Sequence, residues 1–134
     1  ATADSEAGIM PSTELLEAMG NYNAELIEAG IMVTGEGLKP SSNGKRIAFD
    51  GPNRLVIDGP FAETKELVAG FRIIDVKDEA EALAWVKRIP YEEGDEYELR
   101  KVFEMSDFQS DMLTEDVLAS EQAFRDKQKP IGKA

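Results

Sequence analysis

The apolar positions that follow Pro11 recur with a helical period. They form one stripe along a helix, made of Leu15, Leu16, Met19, Tyr22, Leu26 and Ile27. Ser12 is a typical residue for a helix start, and Gly30 is typical of the position just after a helix end. The pattern therefore predicts a helix between these two residues. Residues 1–10 show no clear period, which predicts a loop.

After Gly30 the apolar period changes to two, which is typical of strands. Strands are predicted at residues 31–38, 45–50, 54–58, 67–76 and 97–105. The second and third are separated by a Gly-Pro-Asn turn at residues 51–53, so they are predicted to form a hairpin.

Two further helices are predicted from their capping residues. Asp78 and Glu81 have the spacing of a capping box, and Pro90 ends the helix that follows. The inward stripe of this helix is Ala82, Trp85, Val86 and Ile89. Thr114 to Lys127 reads as a polar C-terminal helix capped by its threonine.

The order of elements predicts an α+β fold in which two helices pack on one face of a mostly antiparallel sheet. The spacing of helices and strands is too irregular for a doubly wound parallel sheet. We expect one domain over residues 1–106 and a C-terminal helical extension over residues 107–134.

Composition excludes several classes of function. The 134 residues include no cysteine and no histidine, which removes thiol nucleophiles, Cys-built metal sites and Ser-His triads. The net charge of −12 argues against binding to nucleic acid or to an anionic membrane surface. No apolar run approaches the length of a membrane span, and no signal peptide pattern opens the chain. The sequence thus predicts a cytoplasmic protein without a cofactor.

One segment carries a resemblance to a known family. Residues 56–66, which read Val-Ile-Asp-Gly-Pro-Phe-Ala-Glu-Thr-Lys-Glu, followed by Gly70 and Phe71, closely resemble the signature of the YCII-related, or DGPF-domain, family. Residues 29–38 resemble the same family's helix end and second strand, and the likeness extends over roughly residues 9–105. The resemblance implies a ferredoxin-like βαββαβ sandwich that pairs into a dimeric α/β barrel, and hence a homodimer.

Two features depart from the family pattern. Members open with a short apolar strand before a stretch like residues 1–6, and that strand is absent from this sequence. We therefore expect the native chain to have about eight more N-terminal residues, enough for a short strand. The better-known branch of the family has a His–Asp pair proposed to be catalytic, whereas this chain has no histidine.

Asp58 has two interpretations. In Asp58-Gly59-Pro60 the carboxylate can accept local backbone N–H bonds, the glycine supplies a positive φ, and the proline fixes the exit, so the trio suits a corner after a strand. Alternatively, Asp58 is a general base or a carboxylate that anchors a ligand at the end of the sheet.

Strand parity groups other charged residues. If Phe71 and Ile73 face the helices, Arg72 faces the other side of the sheet. The charged residues predicted on or beside that other face are Glu36, Asp58, Arg72, Glu98 and Arg100. Inside a dimeric barrel, such enclosed charges would either form an ion-pair network or bind a small polar or carboxylated ligand.

Other polar residues are interpreted more simply. The acidic segment of residues 92–96 lacks the ligand spacing of an EF-hand, so a solvated loop is predicted there and no metal site. Lys65 either balances Asp58, and is then also a candidate ligand-binding residue, or meets water. Trp85 is predicted in the core.

Two functions of different classes follow. The first is a dimer that binds a small molecule, with isomerase- or lyase-like chemistry in which Asp58 is the base and Arg72 or Arg100 holds an anion. This reading follows the family's resemblance in fold to muconolactone-isomerase-type proteins. The second is a non-enzymatic interaction or regulatory module that docks a protein of the sigma-factor type, with which some family members are associated.

Overall fold

The computed structural model describes residues 1–62, 64–108, 111 and 113–128. Its helices are α1 (Ala3–Glu6), α2 (Thr13–Glu28), α3 (Glu79–Val86) and α4 (Glu115–Lys127). Its strands are β1 (Met32–Gly37), β2 (Lys45–Asp50), β3 (Asn53–Asp58) and β4 (Gly70–Ile74). Short 3₁₀ turns occupy Ser41–Asn43, Thr64–Glu66 and Met105–Asp107. The α+β class predicted from the sequence is confirmed.

Side-chain caps start the three longer helices at the predicted residues. The Ser12 hydroxyl accepts from the N–H of Leu15 at 3.1 Å, and the Thr114 hydroxyl accepts from the N–H of Val117 at 3.2 Å. The Asp78 carboxylate accepts from the N–H of Glu81 at 2.8 Å. Each cap satisfies a backbone donor that the first helical turn leaves unpaired. Such local signals explain why these helices could be predicted.

The core of the first part of the chain lies between α2, β1, β4 and α3. Leu26 is fully buried, and Tyr22, Ile31 and Ile89 are buried around it. The partly buried side chains packed against this cluster are Met19, Met32, Ile74, Val76, Trp85 and Val86. Trp85 therefore lies at the core, as predicted, with its ring edge-on to that of Tyr22 at 6.4 Å between centroids.

The strands form two separate two-stranded antiparallel sheets in the described parts of the chain. One pairs β1 with β4 and contains a bulge between Met32 and Thr34. The other is the predicted hairpin, in which β2 pairs with β3 and Lys45 stands opposite Asp58. The sequence predicted a single sheet instead.

Two predicted elements are wrong. The first residues are not a loop, because Ala3–Glu6 form a short helix that the Thr2 hydroxyl caps through the N–H of Ser5 at 3.1 Å. Residues 97–104 are described and form no strand, although their side chains alternate in polarity. A strand needs a partner for its backbone N–H and C=O groups, and the described strands pair only as β1 with β4 and β2 with β3.

The chain divides into two compact units, Ala1–Tyr97 and Glu98–Ala134. The predicted division after residue 106 stays a prediction. Within the described residues, no helix is both long and apolar enough to cross a membrane.

Gly20 offers a test of the α2 assignment. It lies inside the helix, and a Cβ added to it would meet no atom within 4 Å. We expect Gly20→Ala to raise the free energy of unfolding by about 1 kcal/mol, because alanine loses less backbone freedom in a helix. Urea unfolding followed by circular dichroism measures the change. Gly30, just after the helix, has a φ of 72°, so Gly30→Ala should instead lower stability; equal effects of both substitutions would contradict the assignment.

Candidate functional site

Asp58 ends strand β3 and forms an ion pair across the hairpin. Its carboxylate pairs with the Lys45 ammonium, its direct neighbour in the β2–β3 register, and the Asp58 side chain is 75% exposed. The sequence left Lys65 open as either the balancing charge or a solvated side chain, and in the structure Lys45 balances Asp58. Lys65 lies in the exposed 3₁₀ turn Thr64–Glu66. An exposed pair of this kind contributes little to stability.

The corner after Asp58 is held by close backbone packing. The Gly59–Pro60 peptide bond is cis, and the Gly59 N–H donates to the carbonyl oxygen of Gly44 at 3.1 Å. A Cβ on Gly59 would lie 1.8 Å from the carbonyl oxygen of Ser41, a distance that no side chain tolerates. The glycine is therefore required by a close approach between two chain segments.

Ser41 links this corner to the N-terminal helix α1. Its hydroxyl accepts from the N–H of Phe61 at 3.0 Å and donates to the Glu6 carboxylate, which also accepts from the Ser41 N–H at 3.0 Å. These hydrogen bonds lower the pKa of Glu6 from its ordinary value. The Phe61 ring packs under the Arg46 guanidinium, 4.1 Å from the ring centre. The corner predicted at Asp58-Gly59-Pro60 is present, but two of its predicted causes are wrong. Gly59 is required by close packing and not by a positive φ, and the Asp58 carboxylate pairs with Lys45 instead of backbone N–H groups.

Glu6 and Ser41 were missed by the sequence analysis. Residues 1–10 were assigned to a loop, so their side chains were not considered as partners. The available signal was the Thr2-x-x-Ser5 spacing, which suits a cap at the start of a helix.

Arg72 faces helix α2, so the predicted parity of β4 is wrong. Its Nε donates to Asn23 Oδ1 at 3.1 Å, and its Nη2 lies 2.9 Å from Met19 Sδ. Its guanidinium carbon is 5.5 Å from the centre of the Tyr22 ring. Arg72 shares its face with Ile74, which packs on the core, whereas Phe71 is exposed on the other face.

Every observed partner of the half-buried Arg72 is neutral. In the part of the chain that the structure describes, no carboxylate lies within the 4.0 Å of an ion pair. The Tyr97 hydroxyl also lies beside the guanidinium. A partly desolvated guanidinium with spare N–H donors favours an anion, and a carboxylate matches its planar geometry.

The two tyrosines beside Arg72 are held in their neutral form. Burial raises the pKa of Tyr22, although the positive charges of Arg72 and Arg88 oppose this effect. Burial also raises the pKa of Tyr97, the negative charge of Asp95 adds to the rise, and Arg72 opposes it. The phenols can therefore donate hydrogen bonds at neutral pH, and Tyr22 donates one to the carbonyl oxygen of Trp85 at 2.8 Å.

The raised pKa of Tyr22 predicts a loss of stability at alkaline pH. The unfolded chain loses its phenolic protons near the ordinary pKa of 10.0, whereas the folded chain keeps this one to higher pH. Stability should therefore fall as pH rises above about 10. Urea midpoints measured from neutral pH to about pH 11 should fall less steeply for Tyr22→Phe than for the wild type. Parallel curves for the two proteins would contradict the prediction.

Comparison with models of protein families identifies the family of this chain. The sequence model of the YCII-related domain family matches residues 1–106. The chain belongs to the YCII-related domain family. No curated protein matches the sequence.

Glu36 and Arg72, which the sequence placed on or beside one face, do not share a face in this YCII-related chain. Glu36 stands opposite Phe71 and Gly35 stands opposite Arg72, so Glu36 and Arg72 lie on opposite faces of the same sheet. Glu98 and Arg100 belong to the second unit, where they are exposed and pair with each other. The structure brings together Arg72, Tyr22, Asn23 and Tyr97 instead, which we call the Arg72 cluster.

Two concave surfaces lie elsewhere in the YCII-related chain. An open groove of about 530 Å³ runs between the start of α2 and the segment after α3, and it is lined by Ser12, Leu15, Lys87, Ile89 and Tyr91 among others. A smaller, mostly apolar one of about 360 Å³ lies within the second unit. Among the described residues, no group of three acidic side chains is placed to hold a metal ion.

Proposed function

We propose that this YCII-related protein binds a small carboxylated molecule at the Arg72 cluster. The observation that carries the proposal is the half-buried guanidinium of Arg72, whose partners in the described chain are an amide oxygen, a thioether and two phenols. Burying a cation without an anion is unfavourable, and a carboxylate would supply the missing charge through hydrogen bonds to the free N–H groups.

The groups around Arg72 give the site a preference within that class. The guanidinium of Arg72 lies over the buried Tyr22 ring, and Tyr97 offers a neutral hydroxyl at the edge of the cluster. A flat acid would match the planar, forked donors of the guanidinium. Benzoate and cis,cis-muconate are therefore suitable probes, and benzamide is the matching neutral compound.

A thermal-shift screen tests the proposal. We expect benzoate or muconate to raise the melting temperature of the wild type, whereas benzamide should not. Arg72→Gln, which keeps a donor for Asn23, should remove the shift. Arg54→Gln is the matched control, because Arg54 lies at the hairpin tip, where its Nη1 donates to the carbonyl oxygen of Gly51 at 2.8 Å. Equal shifts for both variants would contradict the proposal.

Catalysis at Asp58 remains a prediction. Its exposed ion pair with Lys45 gives it the surroundings of a surface acid, whereas a general base usually works in a desolvated site. The isomerase- or lyase-like reaction therefore rests on family resemblance alone, and the proposal made here is for binding.

We also propose that the protein is a homodimer, as the family resemblance implies, and that it is cytoplasmic, as its composition indicates. In a ferredoxin-like dimeric barrel, the sheet face away from the helices turns inward. On β1 and β4 that face carries Glu36 and Phe71, and Phe71 is 44% exposed in the single chain. Pairing would cover this aromatic ring. Light scattering coupled to size exclusion gives the mass, and a mass of one chain at every concentration would contradict the dimer.

The mostly apolar concave surface in the second unit favours a second candidate, a regulatory module that docks another protein. It is lined by apolar side chains, namely Phe103, Met105, Phe108, Leu113 and Val117, with Glu121 and Arg125 at its border. Titration with a purified sigma factor would test it: Phe108→Ser should weaken binding, and Arg72→Gln should not. Unchanged binding by Phe108→Ser would exclude this surface as the docking site.

A further inference from the structure

The β2–β3 hairpin exposes large apolar side chains on both of its faces. Ile47, Phe49 and Val56 share one face, and Leu55 and Ile57 share the other, as the register shows. Phe49 is 72% exposed and Leu55 is 60% exposed. Every residue of the two strands is exposed to solvent in the single chain. Such a cluster is larger than the scattered apolar residues of an ordinary surface.

The hairpin has little support from the rest of the described chain. Its two strands pair with each other and with no other described strand, while the core gathers around α2, β1, β4 and α3. A two-stranded hairpin is marginally stable in water on its own, and packing against another surface stabilises it. The hairpin is thus built to be covered by something outside this unit.

Charge indicates what covers it. The hairpin carries the basic residues Lys45, Arg46 and Arg54 against the acidic Asp50 and Asp58, which leaves one net positive charge. The whole chain carries −12, so everything outside the hairpin is strongly acidic. Nucleic acid and anionic lipid would be repelled by that remainder. A second copy of this chain offers both an apolar hairpin and an acidic surface that complements the basic rim.

We propose that the β2–β3 hairpin is an arm that packs against a second copy of this chain in a two-fold dimer. The inference deepens the homodimer proposed above, on which it rests, by naming the surface that contributes to it. Phe49 stands near the tip of the arm, and the Arg54 guanidinium lies 4.5 Å from its ring centre. We therefore expect Phe49 to be the anchor of the contact, with the arginine held over its ring.

The dimer dissociation constant of the full chain tests the arm, measured by sedimentation equilibrium for four proteins. Phe49→Ser should weaken the wild-type dimer by about 30-fold or more, as the loss of a central aromatic anchor does. Ile27→Ser is the matched control, because Ile27 is also well exposed, at 64%, but lies on α2. The dissociation constant of Phe71→Ser tests separately whether the exposed face of the β1–β4 sheet contributes to the dimer.

The outcomes are distinct. Loss of the dimer in Phe49→Ser with the Ile27→Ser dimer intact supports the arm. A wild-type dimer that Phe49→Ser leaves unchanged overturns the arm, and weakening by Phe71→Ser alone then assigns the dimer to the sheet face. A wild-type chain that stays monomeric overturns both the arm and the homodimer. Circular dichroism of each variant confirms its fold, which these exposed positions should not affect.

Discussion

Leu26→Ala is expected to lower the free energy of unfolding by about 2–5 kcal/mol, the range for deleting a fully buried leucine side chain. Leu26 has no solvent exposure and lies in the cluster with Tyr22, Ile31 and Ile89. Removing its side chain withdraws apolar surface from the core and leaves a cavity that fixed neighbours cannot fill. Urea unfolding followed by tryptophan fluorescence is suitable, because Trp85 packs against the same cluster.

Ile27 is the matched control for this prediction. It follows Leu26 in helix α2, but its side chain is 64% exposed. Ile27→Ala should therefore change stability by about 0.5 kcal/mol or less. A loss as large as that of Leu26→Ala would mean that α2 is rotated about its axis from the position described.

Gly59→Ala is expected to lower the free energy of unfolding by about 3 kcal/mol, the upper end of what overpacking costs. The new Cβ would lie 1.8 Å from the carbonyl oxygen of Ser41, so one of the two segments must move. That movement would also disturb the hydrogen bonds that join Ser41 to Glu6 and Phe61. The urea midpoint measures the loss.

The control for this substitution is Gly37→Ala at the end of β1. A Cβ on Gly37 would meet no atom within 4 Å, and neither glycine has a positive φ. The two substitutions therefore differ in packing and not in backbone strain. We expect Gly37→Ala to change stability by about 0.5 kcal/mol or less, and a similar loss in both variants would argue against the close contact at Gly59.

The helices were predictable because their signals are local. Ser12, Asp78 and Thr114 each cap the helix that their position indicates. The hairpin was equally predictable from its turn residues. The position of the turn also determines the register of the two strands. Counting outward from Gly51 places Lys45 opposite Asp58, which identifies the ion pair from the sequence alone.

The parity of β4 could not be predicted from alternation alone. Alternation separates Phe71 and Ile73 from Arg72 and Ile74, but it does not say which set faces the helices. The more apolar-looking set was assigned to the core. In the structure the Arg72 side chain lies on the helix side of the sheet, where its guanidinium donates a hydrogen bond to Asn23 on α2. Gly35, opposite Arg72, gives it room, since a Cβ there would lie 3.2 Å from Arg72 Cγ.

The grouping of the predicted site failed at Glu36 for the same reason. Alternation at residues 97–105 predicted a strand with Glu98 and Arg100 on the sheet face away from the helices, but alternation does not supply a pairing partner. Because the parity of β4 is the reverse of the predicted one, Arg72 lies on the opposite face of the sheet from Glu36. The chemistry of Arg72 alone was enough to propose it as an anion holder, whereas its neighbours Tyr22, Asn23 and Tyr97 depend on contacts between elements distant in sequence.

Binding of a carboxylate by the Arg72 guanidinium can be measured directly. Isothermal titration of the wild type and Arg72→Gln with benzoate, and of the wild type with benzamide, is the test. Loss of a charged hydrogen-bond partner typically costs about 1.5–3 kcal/mol, so we expect Arg72→Gln to bind benzoate roughly 10- to 150-fold more weakly and the wild type to bind benzamide no better than that. Benzoate affinity that is the same for Arg72→Gln as for the wild type would contradict it.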